Sequence, residues 1–275
     1  MDKYIVVGNP IKHSKSPQIH HAFAQQTGQS MDYSMFEIAL GNFASYMDNF
    51  FSEKGCGVNI TVPFKQDAYQ YADVLSTRAQ LAGAVNTLKR QEDGTILGDN
   101  TDGEGLVKDL LAHEVCLKGS RILLIGAGGA ARGVIYPLLQ QLPKNMVIVN
   151  RTREKALKLA QHFHTYGPIV GLGHDEIGAQ EFDLVINATS ASLSGNLPSI
   201  PTSIFPSSCC VYDMMYSSNT TVFNQWATKH GARLCLDGLG MLVGQAAESF
   251  FIWRNIYPET KPVLMDMRKL LDQEK

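Results

Sequence analysis

The feature that most constrains this chain is a strand-to-helix turn near its centre. Arg121–Ile125 is an apolar run that leads straight into Gly126-Ala127-Gly128-Gly129-Ala130-Ala131. Val134, Ile135 and Leu138 follow at helical spacing, and Met146–Val149 is a second apolar run. In a Gly-x-Gly-x-x-Ala pattern the first glycine permits the tight turn, and the second lets a pyrophosphate approach the backbone. The alanine takes the third position, where helix packs on strand. Free N–H groups and the dipole at the helix start then hold negative charge. The pattern predicts a βαβ unit that binds a dinucleotide. Apolar runs at 183–187, 210–213 and 233–236 extend it to a doubly wound sheet.

The end of the second strand selects the nucleotide. A site for NAD usually places an acid there to bind the ribose 2′-hydroxyl. This chain has Asn150-Arg151-Thr152, then Arg153 and Lys155. A carboxylate would repel a 2′-phosphate, whereas a guanidinium clamps one bidentately. The plainer reading makes Thr152 a helix cap with solvated bases around it; the missing acid favours NADP.

The first hundred residues alternate strand-like and helix-like segments. Tyr4–Gly8 reads as a strand, and Ser16-Pro17 opens a helix with Ser16 as N-cap that stops at Gly28. Tyr33–Ile38 is the next strand, and Asn42 caps a helix that ends at Gly55. Gly57–Val62 is a strand ended by Pro63, and a polar helix spans 65–71. Residues 84–89 and 95–98 form a hairpin through Asp93-Gly94. A mixed, mainly parallel sheet follows. Beyond Gly238 the chain reads as two helices, 241–256 and 262–273.

Composition excludes several classes. Lys+Arg number 24 against 26 Asp+Glu, a net charge of -2, which does not suit a non-specific nucleic-acid binder. The apolar run at Tyr4–Val7 is too short for a signal peptide or a membrane span. The five cysteines form no CxxC and are expected to be reduced thiols. His162-x-His164 lacks a third ligand nearby, so no metal is expected. The expected compartment is the cytoplasm.

Polar clusters at strand ends carry a more specific signal. Ser14-Lys15-Ser16-Pro17, Asn59-Ile60-Thr61-Val62-Pro63-Phe64-Lys65, Gly83-Ala84-Val85-Asn86-Thr87, Asn100-Thr101-Asp102-Gly103 and Asp237-Gly238-Leu239-Gly240-Met241-Leu242 occur in this order. Together with the glycine turn and Asn150-Arg151-Thr152, they closely resemble the shikimate dehydrogenase family over nearly the whole chain. The resemblance implies a Rossmann-type doubly wound NADP domain, residues 103–237, inserted into a smaller α/β substrate domain. That domain is 1–102, with its own mainly parallel sheet, and residues 238–275 pack back on it as helices. The active site would lie in the cleft between the domains.

Carried over residue by residue, the resemblance makes Lys65 and Asp102 the catalytic pair. Ser14, Ser16, Asn59, Thr61, Asn86, Tyr216 and Gln245 join them in binding substrate. Gly126, Ala127, Gly128, Gly129, Ala130, Asn150, Arg151, Thr152, Lys155, Thr189, Met214, Gly238 and Met241 would bind NADP. The activity implied is reversible reduction of 3-dehydroshikimate to shikimate in aromatic amino-acid (chorismate) biosynthesis, by a monomer or homodimer.

Elementary chemistry agrees with those roles. A ketone reduction needs a proton delivered to the developing alkoxide, which a lysine ammonium oriented by a carboxylate can donate. Serine hydroxyls at a helix start suit a substrate carboxylate. Asn59 and Thr61, two apart on a strand, face one side. Gly238, Met241, Gln245 and Glu248 fall on one helical face. Taken singly, Lys65 reads as a solvated lysine and Asp102 as a helix cap. Two positions depart from the family pattern. Ser192 stands where many members have glycine, and Lys155 where arginine is frequent. The competing readings are a dual quinate/shikimate dehydrogenase and a non-catalytic NADP-binding sensor.

Overall fold

A computed structural model describes residues 1–273. The chain forms two compact units, Met1–Gly105 with Leu242–Met267, and Leu106–Met241 with the chain from Arg268 onward.

The first unit runs β1 (Asp2–Gly8), α1 (Ser16–Thr27), β2 (Met31–Glu37), α2 (Phe43–Ser52), β3 (Gly57–Ile60), α3 (Lys65–Tyr71), β4 (Val74–Leu75), α4 (Thr77–Ala82), β5 (Thr87–Arg90) and β6 (Ile96–Asp99). Its sheet has the order β2-β1-β3-β5-β6-β4, and only β5 runs against the rest. Helical crossovers bring β1, β2 and β3 together in parallel, as such connections require. The hairpin turns through Gly94 at φ +89, where Gln91 N–H donates to Thr95 O. Val7, Phe43, Met47, Val58, Phe64 and Leu88 form the core on one side.

Three local expectations need correction. The N-cap of α1 is Lys15, not Ser16, because the Ser14 hydroxyl takes the Ser16 N–H at 3.3 Å and the helix starts at Ser16. Asn42 holds the N-cap position of α2 as expected, but its side chain makes no cap bond. Strand β3 ends at Ile60 and not at Val62, although the Thr61 N–H still donates to Val7 O on β1 at 3.0 Å.

His20 on α1 is fully buried, stacked on Tyr33 with ring centroids 4.3 Å apart and flanked by Phe23, Phe250 and Trp253. Burial pushes its imidazole down to about 3 from an ordinary 6.5. The unfolded chain therefore takes up this proton below about pH 6.5, and the folded chain only near 3. Stability is full above pH 6.5 and falls as pH drops between those values, by about 1.4 kcal/mol per unit. At pH 5 the loss is about 2 kcal/mol. Urea unfolding at pH 7.5 and pH 5 should show His20→Phe losing less than the wild type by about that amount. Equal losses would contradict the assignment.

The chain continues as α5 (Asp102–Ala112), and the second unit holds β7 (Arg121–Ile125), α6 (Gly129–Leu139), β8 (Asn145–Asn150), α7 (Arg153–Phe163), β9 (Ile169–Gly173), β10 (Leu184–Asn187), β11 (Cys210–Asp213), α8 (Val222–Lys229) and β12 (Leu234–Asp237). Then come α9 (Leu239–Arg254) and α10 (Thr260–Gln273). The second sheet is wholly parallel in the order β12-β11-β10-β7-β8-β9, the doubly wound arrangement with its switch point between β7 and β10. Leu123, Leu124, Val147, Val185 and Val211 are buried, which is why these strands read as unbroken apolar runs. Strand β9 was hidden by its glycines. A Cβ at Gly171 would lie 2.3 Å from Ala156 O, so α7 closes on this strand only because no side chain intervenes. No helix among the described residues is long and apolar enough to cross a membrane.

Candidate active site

In the first unit the polar residues converge on Asp102. Lys65 opens α3 and Asp102 opens α5, and Lys65 Nζ donates to Asp102 Oδ2 at 2.6 Å. The two side chains are 28% and 11% exposed, so the pair remains open to a ligand while largely shielded from water. The other carboxylate oxygen accepts Asn86 Nδ2 at 2.8 Å. Asn86 immediately precedes β5, and its amide nitrogen also faces Thr101 Oγ1 at 2.9 Å and Gln245 Oε1 at 3.3 Å. The amide cannot be turned over, since the Thr101 backbone N–H donates to Asn86 Oδ1 at 2.9 Å and needs an acceptor there. Lys65, Asn86, Asp102 and Gln245 thus meet from four separate stretches of chain.

A second ion pair, not anticipated from the sequence, fixes the segment that delivers Asp102. Arg78 on α4 forks onto Asp99, with Nε to Oδ1 at 2.7 Å and Nη2 to Oδ2 at 2.8 Å. Its Nη1 and Nη2 each lie 3.3 Å from Glu248 Oε1, one turn beyond Gln245 on α9. One guanidinium therefore ties the end of β6 to the helix that carries Gln245. Helix α4 had local signals after all: the Ser76 hydroxyl caps it through Ala79 N–H, and Gly83 closes it at φ +60.

The remaining substrate-side residues divide. Ser14 is half-buried at the start of α1. Ser16 is buried, with its hydroxyl against that of Tyr33. Asn59 is buried, and its side chain bonds inward: Oδ1 accepts Tyr33 Oη at 2.7 Å and Nδ2 donates to Ser249 Oγ at 3.0 Å. Thr61 enters none of these side-chain bonds among the described residues; its backbone N–H donates to Val7 O at 3.0 Å.

In the second unit the glycine turn is formed as the sequence requires. Gly126 stands at φ +109, a conformation that a Cβ strains, and a Cβ there would lie 3.0 Å from Thr189 Cγ2. A Cβ at Gly128 or Gly129 would meet nothing within 4 Å, so the backbone at the start of α6 is open to a bulky anion. Thr189 is held at the end of β10 by Asn187, whose Oδ1 accepts its hydroxyl at 2.7 Å. Asn150 ends β8, Arg151 and Thr152 follow it, and Asn150 Nδ2 donates to Thr152 O at 2.9 Å. Arg151 and Lys155 are exposed and have no ion-pair partner among the described residues. Arg153 is paired with Glu176 at 2.8 Å. An open glycine turn with two unpaired cations and no acid at the strand end fits NADP.

The other residues expected at the nucleotide lie in the same unit. Met214 follows β11, as does Tyr216, which was expected at the substrate, and Met214 N–H donates to Asn187 O at 2.9 Å. Gly238 N–H donates to Met215 O at 3.1 Å. Met241 N–H donates to Tyr212 Oη at 3.2 Å, and that buried phenol donates to Asp109 at 2.6 Å. Ser192, the departure from the family pattern, donates to Asp213 Oδ2 at 2.8 Å and accepts Asn187 Nδ2 at 3.0 Å. Its hydroxyl therefore ties the loop after β10 to two buried strand ends, which glycine could not do. Burial pushes the Asp213 carboxyl above its ordinary range despite those donors.

A doubly wound sheet with an open glycine turn and a basic strand end, on a chain that also carries a lysine–carboxylate pair, defines a dinucleotide-dependent dehydrogenase. Residues 6–88 match the shikimate dehydrogenase substrate binding domain, 108–194 the shikimate/quinate 5-dehydrogenase family, and 238–267 the shikimate 5'-dehydrogenase C-terminal domain. The chain belongs to the shikimate dehydrogenase family. A shikimate dehydrogenase (NADP(+)) of Vibrio atlanticus (strain LGP32) is 57% identical over 99% of this chain and 98% of its own length. Among solved structures, the Ael1 enzyme from Pseudomonas putida is similar at a TM-score of 0.92 and 42% identity, covering 97% of this chain and 98% of that one. The shikimate 5-dehydrogenase of Thermus thermophilus, in complex with NADP(H) and shikimate, gives 0.86 and 31%, covering 98% and 99%.

Proposed function

We propose that this chain catalyses the reversible NADPH-dependent reduction of 3-dehydroshikimate to shikimate, a step of chorismate and aromatic amino-acid biosynthesis. The observation that carries the reading is the Lys65–Asp102 contact of 2.6 Å, buttressed by Asn86. NADP would be held by the turn Gly126, Ala127, Gly128, Gly129 and Ala130, by Asn150, Arg151, Thr152 and Lys155, and by Thr189, Met214, Gly238 and Met241. When bound, the reduced nicotinamide supplies a hydride.

The chain's own residues do the rest. Lys65 Nζ donates a proton to the substrate oxygen and stabilises the charge that develops there. Asp102 Oδ2 keeps that ammonium in place and accepts a substrate hydroxyl. Ser14 and Ser16, at the start of α1, face the substrate carboxylate. Thr61, Asn86, Tyr216 and Gln245 supply neutral hydrogen bonds to the ring hydroxyls, and Asn59 acts from behind Ser16. In this reading residues 1–102 and the helices of 238–275 bind substrate and 103–237 bind NADP, in a cytoplasmic monomer or homodimer.

Rates of shikimate and quinate oxidation, each with NADP and with NAD, test this reading. Shikimate with NADP should be fastest. Faster turnover of quinate with NAD would replace it with the dual-substrate alternative, and no turnover of either would leave only a nucleotide binder.

A further inference from the structure

Behind the Lys65–Asp102 pair runs a chain of side-chain hydrogen bonds with one direction. Tyr33 Oη donates to Asn59 Oδ1 at 2.7 Å, and Asn59 Nδ2 donates to Ser249 Oγ at 3.0 Å. Ser249 Oγ lies 2.7 Å from Thr87 Oγ1, which donates to Asn86 Oδ1 at 2.8 Å. Asn86 Nδ2 then donates to Asp102 Oδ1 at 2.8 Å. Tyr33, Asn59, Asn86, Thr87 and Ser249 are all buried, so water does not substitute for a missing partner.

The direction follows from chemistry. The carboxylate oxygen accepts only, so Asn86 must present its NH2 to Asp102, and its carbonyl then faces Thr87 and the Thr101 N–H. An amide carbonyl also accepts only, so the Thr87 proton points to Asn86. The Thr87 oxygen is then left to accept, from Ser249 Oγ at 2.7 Å and from Asn59 Nδ2 at 3.3 Å. Two acceptors compete for the Ser249 proton, Gln245 O one turn back on α9 at 3.0 Å and Thr101 Oγ1 at 3.3 Å.

We propose that Thr87 and Ser249 are positioning residues for the dehydrogenase reaction. Their hydroxyl pair holds the Asn86 amide with its N–H toward Asp102, and so fixes the carboxylate that orients Lys65. The inference rests on the function proposed above, and neither residue touches substrate.

The test is a double-mutant cycle on kcat/KM for shikimate, using Thr87→Val with and without Asn86→Ala. Losing a buried neutral hydrogen bond to the amide should cost about 10-fold, mainly in kcat, with KM for NADP unchanged. Thr87→Ser, which keeps the hydroxyl, should recover most of it. In the Asn86→Ala background Thr87→Val should change the rate by less than about twofold, because residues acting through one partner do not add. Equal losses in both backgrounds, or a lower Tm with kcat intact, would overturn the proposal. If Thr87→Val does not fold, Ser249→Ala takes its place in the cycle with the same expectation in weaker form. A folded wild type inert towards shikimate would overturn the function instead. The positioning is then read from the Asn86 side-chain NH2, assigned by its absence in Asn86→Ala. Its hydrogen exchange should be slow in the wild type and clearly faster in Thr87→Val, and equal protection would refute it.

Discussion

Lys65→Ala is expected to lower kcat by about 10²–10⁴-fold while KM for shikimate changes far less, since general acid catalysis acts mainly in the transition state. The structure sharpens this expectation. Removing the ammonium leaves Asp102 Oδ2 without its 2.6 Å partner, while Oδ1 stays bonded to Asn86, so the carboxylate should keep its place. The loss is then that of the proton donor and not of the site. Lys65→Arg should remain slow as well, because a guanidinium keeps its charge but does not give up a proton near neutral pH. Near-normal kcat with a raised KM in Lys65→Ala would make Lys65 a binding residue only.

The second large effect falls on the nucleotide. NADP differs from NAD by one ribose phosphate, which is the only handle for discrimination. A charge-assisted bond to it contributes about 1.5–3 kcal/mol, or roughly a 10- to 150-fold preference. Arg151 is exposed beside the end of β8, whereas Arg153 is committed to Glu176 at 2.8 Å. Arg151→Ala should therefore weaken kcat/KM for NADPH by about that factor and barely alter NADH. Arg153→Ala should leave the ratio near its wild-type value. If Arg151→Ala leaves the NADPH-to-NADH ratio unchanged, Lys155 is the remaining cation on that stretch to carry the selection.

What could be read from the sequence was what the chain encodes locally. The turn at Gly126, the parallel strands around it and the missing acid after β8 are short-range patterns with a mechanical reason. The resemblance supplied Lys65 and Asp102, which singly look like a solvated lysine and a cap. What escaped was set by distant partners. Arg78 carried no signal of its own because Asp99 and Glu248 come from other parts of the chain. Thr87 stood out only as the neighbour of Asn86, and the buried bonds that join it through Ser249 to Asn59 link distant parts of the chain. Ser16 was misplaced as a cap because sequence cannot show that Ser14 takes its N–H. Ser192 was visible as a departure, but its anchoring to Asp213 was not.

The most direct test of the account is the fate of NADPH when 3-dehydroshikimate is added to the purified chain. A loss of NADPH absorbance matched mole for mole by shikimate is expected, slowed by about 10²–10⁴-fold in Lys65→Ala with NADPH binding intact. Undiminished NADPH in the presence of folded, nucleotide-binding protein would contradict it.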